Sequence, residues 1–268
     1  VTGSVSRTGA GTLASPYVVP VPVSGLATSG STMRFSVSAT ASRAFTVSAT
    51  SGIRLVAAVT NTTAVVLTGA DTLSGTTNAS GAGEFFAYPT STTTGIVTLT
   101  FEGDVTQVYI TGTAGSAYDI GAVTLPSMEP SKTGVVVAVV TDAFGNATET
   151  GTLTASLTGT GSPTKGDITY SSTSKRWEGT QTAGATAGQL ALGLTISGLT
   201  ATDAQKAAFG DPNNTYFGII TVAAAKTVTE LQTQITQLQA QLAALTASTV
   251  SKAKYNKLVR KWNRANPN

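Results

Sequence analysis

The chain has 268 residues, with 16 Lys and Arg against 13 Asp and Glu, and neither His nor Cys. That composition excludes imidazole acid–base catalysis, thiolate nucleophiles, disulfides and the usual zinc and haem ligand sets. Charged residues are 11% of the chain, under half of the roughly 25% of an ordinary soluble domain, while hydrophobic residues at 41% suffice for packed cores rather than disorder.

The net charge of +3 is unevenly spread. Residues 1–125 carry −1, residues 126–222 carry −2 and residues 223–268 carry +6. The expected organisation is a first β-sandwich with an N-terminal arm over 1–125, a second over 126–222, and a helical tail over 223–268. The longest apolar run, Val135–Val140, is far short of the roughly 20 residues a membrane-spanning helix needs, so no transmembrane span is expected. A start at Val1 rather than Met is expected of an exported mature form, or of a boundary within a longer chain. A Cys-free chain rich in Thr, Ser, Gly, Ala and Val fits a secreted, cell-surface protein.

Residues 1–15 are rich in Gly, Ser and Thr and read as a loose arm or an exchanged strand. Pro16, Pro20 and Pro22 stand around alternating valines. Prolines two apart turn their missing N–H groups the same way, which suits an edge strand and one that can be lent to a neighbour. From residue 16 to 222 short runs rich in Val, Thr, Ile, Phe and Tyr are divided by Gly, Ser and Asn. They predict strands at Tyr17–Val23, Met33–Ala39, Phe45–Ala49, Leu55–Thr60, Ala64–Leu67, Ile96–Phe101, Val105–Thr111, Val135–Thr141, Leu153–Leu157 and Leu190–Ile196. Apolar and polar residues alternate best in Met33–Ser38 and Ile96–Phe101, as on a pleated strand with one buried face. With no helix between them, the strands predict a mainly β fold of two antiparallel sandwiches followed by a long helix.

Glu102 and Asp104 are the nearest thing to paired carboxylates, but Phe101-Glu102-Gly103-Asp104 reads as a turn between strands. Catalysis is not expected, since aromatics to line a pocket are scarce. Gly81-Ala82-Gly83-Glu84 reads as a glycine-rich turn; it lacks the lysine a phosphate loop needs. Pro126 and Pro130 flank Ser127-Met128-Glu129, which marks a domain boundary near residue 126.

In the second body, Val139-Val140-Thr141-Asp142-Ala143-Phe144-Gly145-Asn146 is an apolar strand running into a D-x-x-G-N turn. Gly145-Asn146 supplies the positive φ of a tight turn, and Asp142 can bond its own turn backbone. This stretch, with Gly151–Thr158 and the Trp177–Ile196 region, resembles the bacterial Ig-like domains of intimin and invasin type across residues 135–222. Ala147 stands where that family usually has Pro. The resemblance implies an Ig-like sandwich; such modules are mostly spacers, so it implies no adhesive role. Oxygen ligands for Ca²⁺ are thin: Asp211 and Asn213 in one loop, and Asp142 with Asn146 in another. Turn stabilisation is the expected role of each. No cofactor and no metal is called for.

After Ala223 the texture changes. Val228, Leu231, Ile235, Leu238, Leu242 and Leu245 fall at 3-4-3-4-3 spacing, a heptad seam. Thr227 and Glu230 form a T-x-x-E capping box that starts a helix near 228. With Val228 at position a, the flanking e and g positions are Gln232, Gln239, Gln234 and Gln241. Uncharged flanks suit packing against copies of the chain; the alternative is that the helix lies on its own sandwich. The heptad slips near Ser248–Ser251. Beyond it Lys252, Lys254, Lys257, Arg260, Lys261 and Arg264 accompany Tyr255, Leu258, Val259 and Trp262. This cationic segment with an apolar edge suits anionic cell-wall polymer or lipid headgroups. A few bases on a helix end give no sequence-specific nucleic-acid binding. The Leu/Gln heptads and basic ending resemble the C-terminal helices of actinobacterial S-layer-like or Ig-like-domain surface proteins.

The expected function is non-enzymatic: an extracellular structural protein that assembles with itself as an S-layer-like lattice or filament. A surface adhesin or carbohydrate-binding module is the alternative, and a phage decoration or fibre protein a third.

Overall fold

A computed structural model describes residues 7–22, 32–59, 69–224 and 226–266, apart from the side chains of 248–251. Residues 1–223 form one compact unit and 224–268 another. The first half contributes β1 (Tyr17–Pro20), β2 (Met33–Ser38), β3 (Ala44–Ala49), β4 (Ile53–Val56), β5 (Thr72–Thr76), β6 (Ala82–Pro89), β7 (Thr94–Phe101) and β8 (Asp104–Thr113). These make a five-stranded sheet, β1-β8-β7-β3-β5, and a three-stranded sheet, β2-β6-β4. Between them lies a core of Val19, Met33, Phe45, Val47, Ile53, Leu55, Phe85, Val97 and Ile110. In β2 the alternation delivers Met33 and Val37 to the core and leaves Ser36 and Ser38 exposed. The Phe101–Asp104 turn forms as expected. Glu102 (φ 50°) and Gly103 (φ 93°) are its two central residues, the left-handed pair that matches the twist of adjoining strands.

Several expectations need correction here. The described part of the N-terminal arm is not loose: Thr8 and Val18 exchange backbone hydrogen bonds (3.3 and 2.9 Å), and the Tyr109 N–H donates to the Gly11 carbonyl at 2.9 Å. Nor is the strand lent away. β1 pairs with β8 of its own chain, in parallel, from Tyr17↔Ile110 to Pro20↔Thr113, and Val19 and Val21 are buried. The sandwiches are therefore not purely antiparallel. Gly81–Glu84 is not a turn alone, because β6 begins at Ala82 and continues to Pro89. The expected strand at Ala64–Leu67, and the ends of those at Tyr17–Val23 and Leu55–Thr60, lie outside the described residues.

The second half contributes β9 (Asp119–Thr124), β10 (Thr133–Thr141), β11 (Leu153–Gly159), β12 (Thr169–Ser171), β13 (Arg176–Thr182), β14 (Gly188–Ile196), the helix α1 (Asp203–Phe209) and β15 (Thr215–Val222). Its sheets are β12-β13-β10-β9 and β11-β14-β15. Lettered A to G in chain order, the strands pair as D-E-B-A and C-F-G, the arrangement of a constant-type immunoglobulin domain. The second sandwich is immunoglobulin-like. Its core includes Val136, Ala138, Val140, Leu153, Trp177, Leu190, Leu192, Leu194 and Ile220, and the Trp177 indole N–H donates to the Thr148 carbonyl at 3.0 Å.

β9 pairs with β10 inside this sandwich, so the expected division at residue 126 falls within it; the two cores part between Ile110 and Ala117. Pro126 ends pairing with one sheet without ending the domain. The chain crosses to the other sheet, where the Met128 N–H donates to Thr221 and the Ala223 N–H donates to Met128 (3.2 and 2.9 Å). A proline that withholds its N–H permits the crossing because no ladder bond is broken there. The helix α1 is also unexpected. Thr202 and Gln205 form its capping box.

The last element, α2, runs from Val228 to Ala265 with Thr227 as N-cap and a complete Thr227/Glu230 capping box. Its 38 residues correspond to about 57 Å at 1.5 Å per residue. Among the described residues no helix is long and apolar enough to cross a membrane.

Candidate functional site

The D-x-x-G-N stretch does more than turn the chain. Asp142 is buried, and its carboxylate accepts from the N–H groups of Phe144 and Asn146 (2.9 Å each), from the Gly115 N–H (2.9 Å) and from the Asn146 amide (3.1 Å). Gly145, at φ 82°, closes the turn in a conformation a side chain would strain. Asn146 is thereby aimed across to the first sandwich. Its amide donates to the Thr90 carbonyl at 3.0 Å, and its carbonyl accepts from the Thr92 N–H at 3.3 Å. Beside this polar clamp, Tyr88 packs against Val56, Phe144 and Phe209. Phe209, from α1, meets Phe144 edge-on at 4.9 Å and Tyr118 at 6.1 Å, and the Tyr118 hydroxyl donates to the Gly210 carbonyl at 2.6 Å. Burial pushes the Tyr88 phenol up to about 12. The two sandwiches are therefore joined by a built contact, polar on one side and aromatic on the other, in place of a bare linker.

The calcium candidates are accounted for by protein partners. Both oxygens of Asp142 are taken by N–H donors. Asn213 donates its backbone N–H to Asp119 (2.6 Å) and its amide to the Ile120 carbonyl (3.2 Å), which ties the loop before β15 to β9. Asp211 lies 3.4 Å from the Lys206 ammonium. Among the described residues no three acidic, His or Cys side chains gather where a metal ion could be held. Glu102 pairs with Arg43 at 3.3 Å and sits in the β7–β8 turn, two residues before Asp104.

On α2, the six seam residues share one side of the helix and all are exposed, from 45% at Leu231 to 71% at Val228. An apolar stripe left in water gains free energy when a second apolar surface covers it. The capping box fixes where the seam begins. The Thr227 N–H and hydroxyl donate to the Glu230 carboxylate (2.7 and 3.0 Å), and the Glu230 N–H donates back to the Thr227 hydroxyl at 3.2 Å. These bonds, and secondarily the Lys226 charge, hold the Glu230 carboxyl below its usual range. Thr233, Thr236 and Thr246 return their hydroxyls to carbonyls four residues earlier, at 2.8–2.9 Å. These threonines spend their hydrogen bonds locally.

Tyr255, Leu258, Val259 and Trp262 are likewise exposed. Counted around the axis at roughly 100° per residue, they form a second stripe about a third of a turn away from the seam. Continuing the heptad past its slip puts Lys252, Asn256, Val259 and Asn263 on the seam side, so the apolar seam ends at Leu245 and Val259 is the one stripe residue that borders its line. One helix thus carries two separate apolar faces, and only the first has the spacing of a coiled coil.

A further exposed patch escaped the sequence reading. On β15, Phe217 is 82% exposed and Ile219 54%. They stand opposite Gly193 and Ala191 of β14, on a face shared with Thr154, Ser156 and Thr158 of β11. That sheet face carries no charge. Alternation in Thr215–Val222 hides which half points outward, since both halves hold apolar residues.

No protein-family model and no curated protein matches the sequence. Among solved structures the chain is similar to invasin, titled a bacterial integrin-binding protein, at 14% identity and TM-score 0.34 over 82% of this chain and 40% of that one. It is similar also to the Escherichia coli adhesin FdeC, at 17% identity and TM-score 0.40 over 77% of this chain and 66% of that one. A third is the surface layer protein SbsC, domains 4–9, at 14% identity and TM-score 0.33 over 83% of this chain and 30% of that one. The chain spans less than two thirds of the length of each.

Proposed function

We propose that this is a non-enzymatic structural protein of the cell exterior that assembles with copies of itself through the seam of α2, as an S-layer-like lattice or an extracellular filament. The observation that carries the reading is the seam. Six branched or long aliphatic side chains at heptad spacing stand in water, flanked by glutamines that neither attract nor repel a second copy. Burying such a side chain fully is worth about 1.5–3 kcal/mol, so leaving six exposed is costly unless a surface of the same kind covers them.

The sandwiches support the reading in their own way. Among the strands that end these sheets, β5 and β11 carry neither Lys nor Pro, so on those two edges the usual guards against edge-to-edge pairing are missing. Near-neutral bodies add little mutual repulsion. The clamp at Asn146 gives each copy a fixed geometry from which a regular array can be built. Light scattering of the purified full chain across a dilution series, with negative-stain imaging at the upper end, tests this. Concentration-dependent sheets or filaments are expected. A particle that stays monomeric throughout and captures glycan instead would replace assembly with ligand binding.

A further inference from the structure

A coiled coil formed through Val228–Leu245 leaves the second stripe of α2 uncovered, because that stripe faces about a third of a turn away at roughly 100° per residue. It therefore needs a different occupant, and its surroundings say which kind. Residues 252–264 contain six cations and no acid. Lys252 and Lys254 flank the stripe of Tyr255, Leu258, Val259 and Trp262, while Lys257, Arg260 and Arg264 occupy the far side and Lys261 lies between. Trp262 is 66% exposed and Tyr255 69%. The carbonyl of Trp262 is capped by the backbone and side-chain amides of Asn266 (3.0 and 3.1 Å), so the helix is secured through the stripe's last turn.

We infer that this segment is a surface for an anionic lipid bilayer, on which the helix lies flat with the Tyr255–Trp262 stripe at the headgroup–acyl boundary. The chemistry separates a bilayer from a soluble polyanion. A polyanion is satisfied by the cations and gives no use to four exposed apolar side chains on the opposite side. A bilayer uses both: aromatic rings settle at the interface, flanking lysines extend to the phosphates, and the far-side bases remain within about one Debye length, ~10 Å, of the charged surface. The inference is independent of the assembly reading, since the seam and this stripe are different faces.

The two tryptophans make the test direct. Trp177 is buried in the second core, so a change in emission on adding vesicles reports Trp262. Full-length protein is mixed with vesicles of phosphatidylcholine alone, or of phosphatidylcholine and phosphatidylglycerol in equal parts, and sedimented. Binding to the anionic vesicles is expected to exceed binding to the neutral ones by at least about tenfold, given about 1 kcal/mol per basic residue near such a surface. It should come with a blue shift and quenching by brominated lipid. Leu258→Ser should weaken vesicle binding about tenfold, the loss of one buried apolar side chain, while leaving binding to soluble polyphosphate unchanged; circular dichroism checks that helix content is retained. Vesicle binding that Leu258→Ser leaves intact, with Trp262 still open to iodide, would overturn the inference in favour of a polyanion contact. Failure to bind anionic vesicles at all would overturn it outright.

Discussion

If seam residues pack against a second copy, shortening one of them must weaken association twice, once in each chain. Leu238 is the strongest choice because it lies in the middle of the seam and 64% of it is exposed in the single chain. Full burial of a leucine side chain is worth about 1.5–3 kcal/mol, so covering the exposed part contributes about 1–2 kcal/mol per chain. Leu238→Ala forfeits most of that in both partners, about 2–4 kcal/mol, which is a weakening of roughly 30- to 700-fold at 1.4 kcal/mol per factor of ten. Sedimentation-velocity runs over a dilution series measure the shift, and ellipticity at 222 nm follows the helix in the same samples. Gln237→Ala, one residue away on the outer side of the heptad, provides the comparison and should leave association unchanged because it buries nothing. Equal association of Leu238→Ala and the unaltered chain, in samples that do associate, would refute the reasoning: contacts would then run through the sandwiches.

Other consequences follow from the same structure. Asp142→Ala strands the Gly115, Phe144 and Asn146 N–H groups in a buried turn. It should cost about 3 kcal/mol, lowering the melting temperature by roughly 6–12 °C by calorimetry, whereas an unchanged transition would show that the turn holds without its carboxylate. Glu230 has its carboxyl lowered by its bonds to Thr227. Its contribution to the start of the helix is therefore present above the ordinary glutamate range and lost as pH falls through the lowered value. Glu230→Gln should flatten the acid loss of ellipticity. Tyr88 works in the opposite sense. With its phenol at about 12 when folded, above the ordinary tyrosine value of about 10, stability should hold below about pH 10 and decline as pH rises toward 12. Tyr88→Phe should move base unfolding to higher pH; no change on that substitution would remove Tyr88 as the cause.

The sequence was legible where one physical signal acted alone. The seam and its capping box set the bounds of α2 because an unbroken 3-4 pattern and a T-x-x-E start are each sufficient local signals of a helix. Strands β2 and β7 were legible through alternation, since each has one wet face. β6 was not. Its run Phe85-Phe86-Ala87-Tyr88 is buried on both faces, because one side meets the core and Tyr88 on the other meets Phe144 and Phe209, so no alternation remains. β13 was hidden by its polarity. Gln181 is fully buried, yet it is satisfied by the N–H and carbonyl of Gly166 (3.1 and 3.2 Å), a pairing that exists only in three dimensions. Pro126 marks a change of sheet and not an end, and the sequence does not separate the two, because withheld hydrogen bonds look alike in both cases. The D-x-x-G-N turn was found, but not the reach of Asn146 to Thr90 and Thr92, more than fifty residues away in sequence. For the same reason the exposed Phe217–Ile219 patch was missed: which half of β15 faces water is decided by its pairing with β14.

The most direct test of assembly through α2 is to cut the chain before Thr227 and compare both forms by sedimentation at matched concentration. The shortened chain keeps both cores and the Asn146 clamp, so it should stay folded and run as a monomer at concentrations where the intact chain associates. A shortened chain that associates as strongly as the intact one would contradict the account.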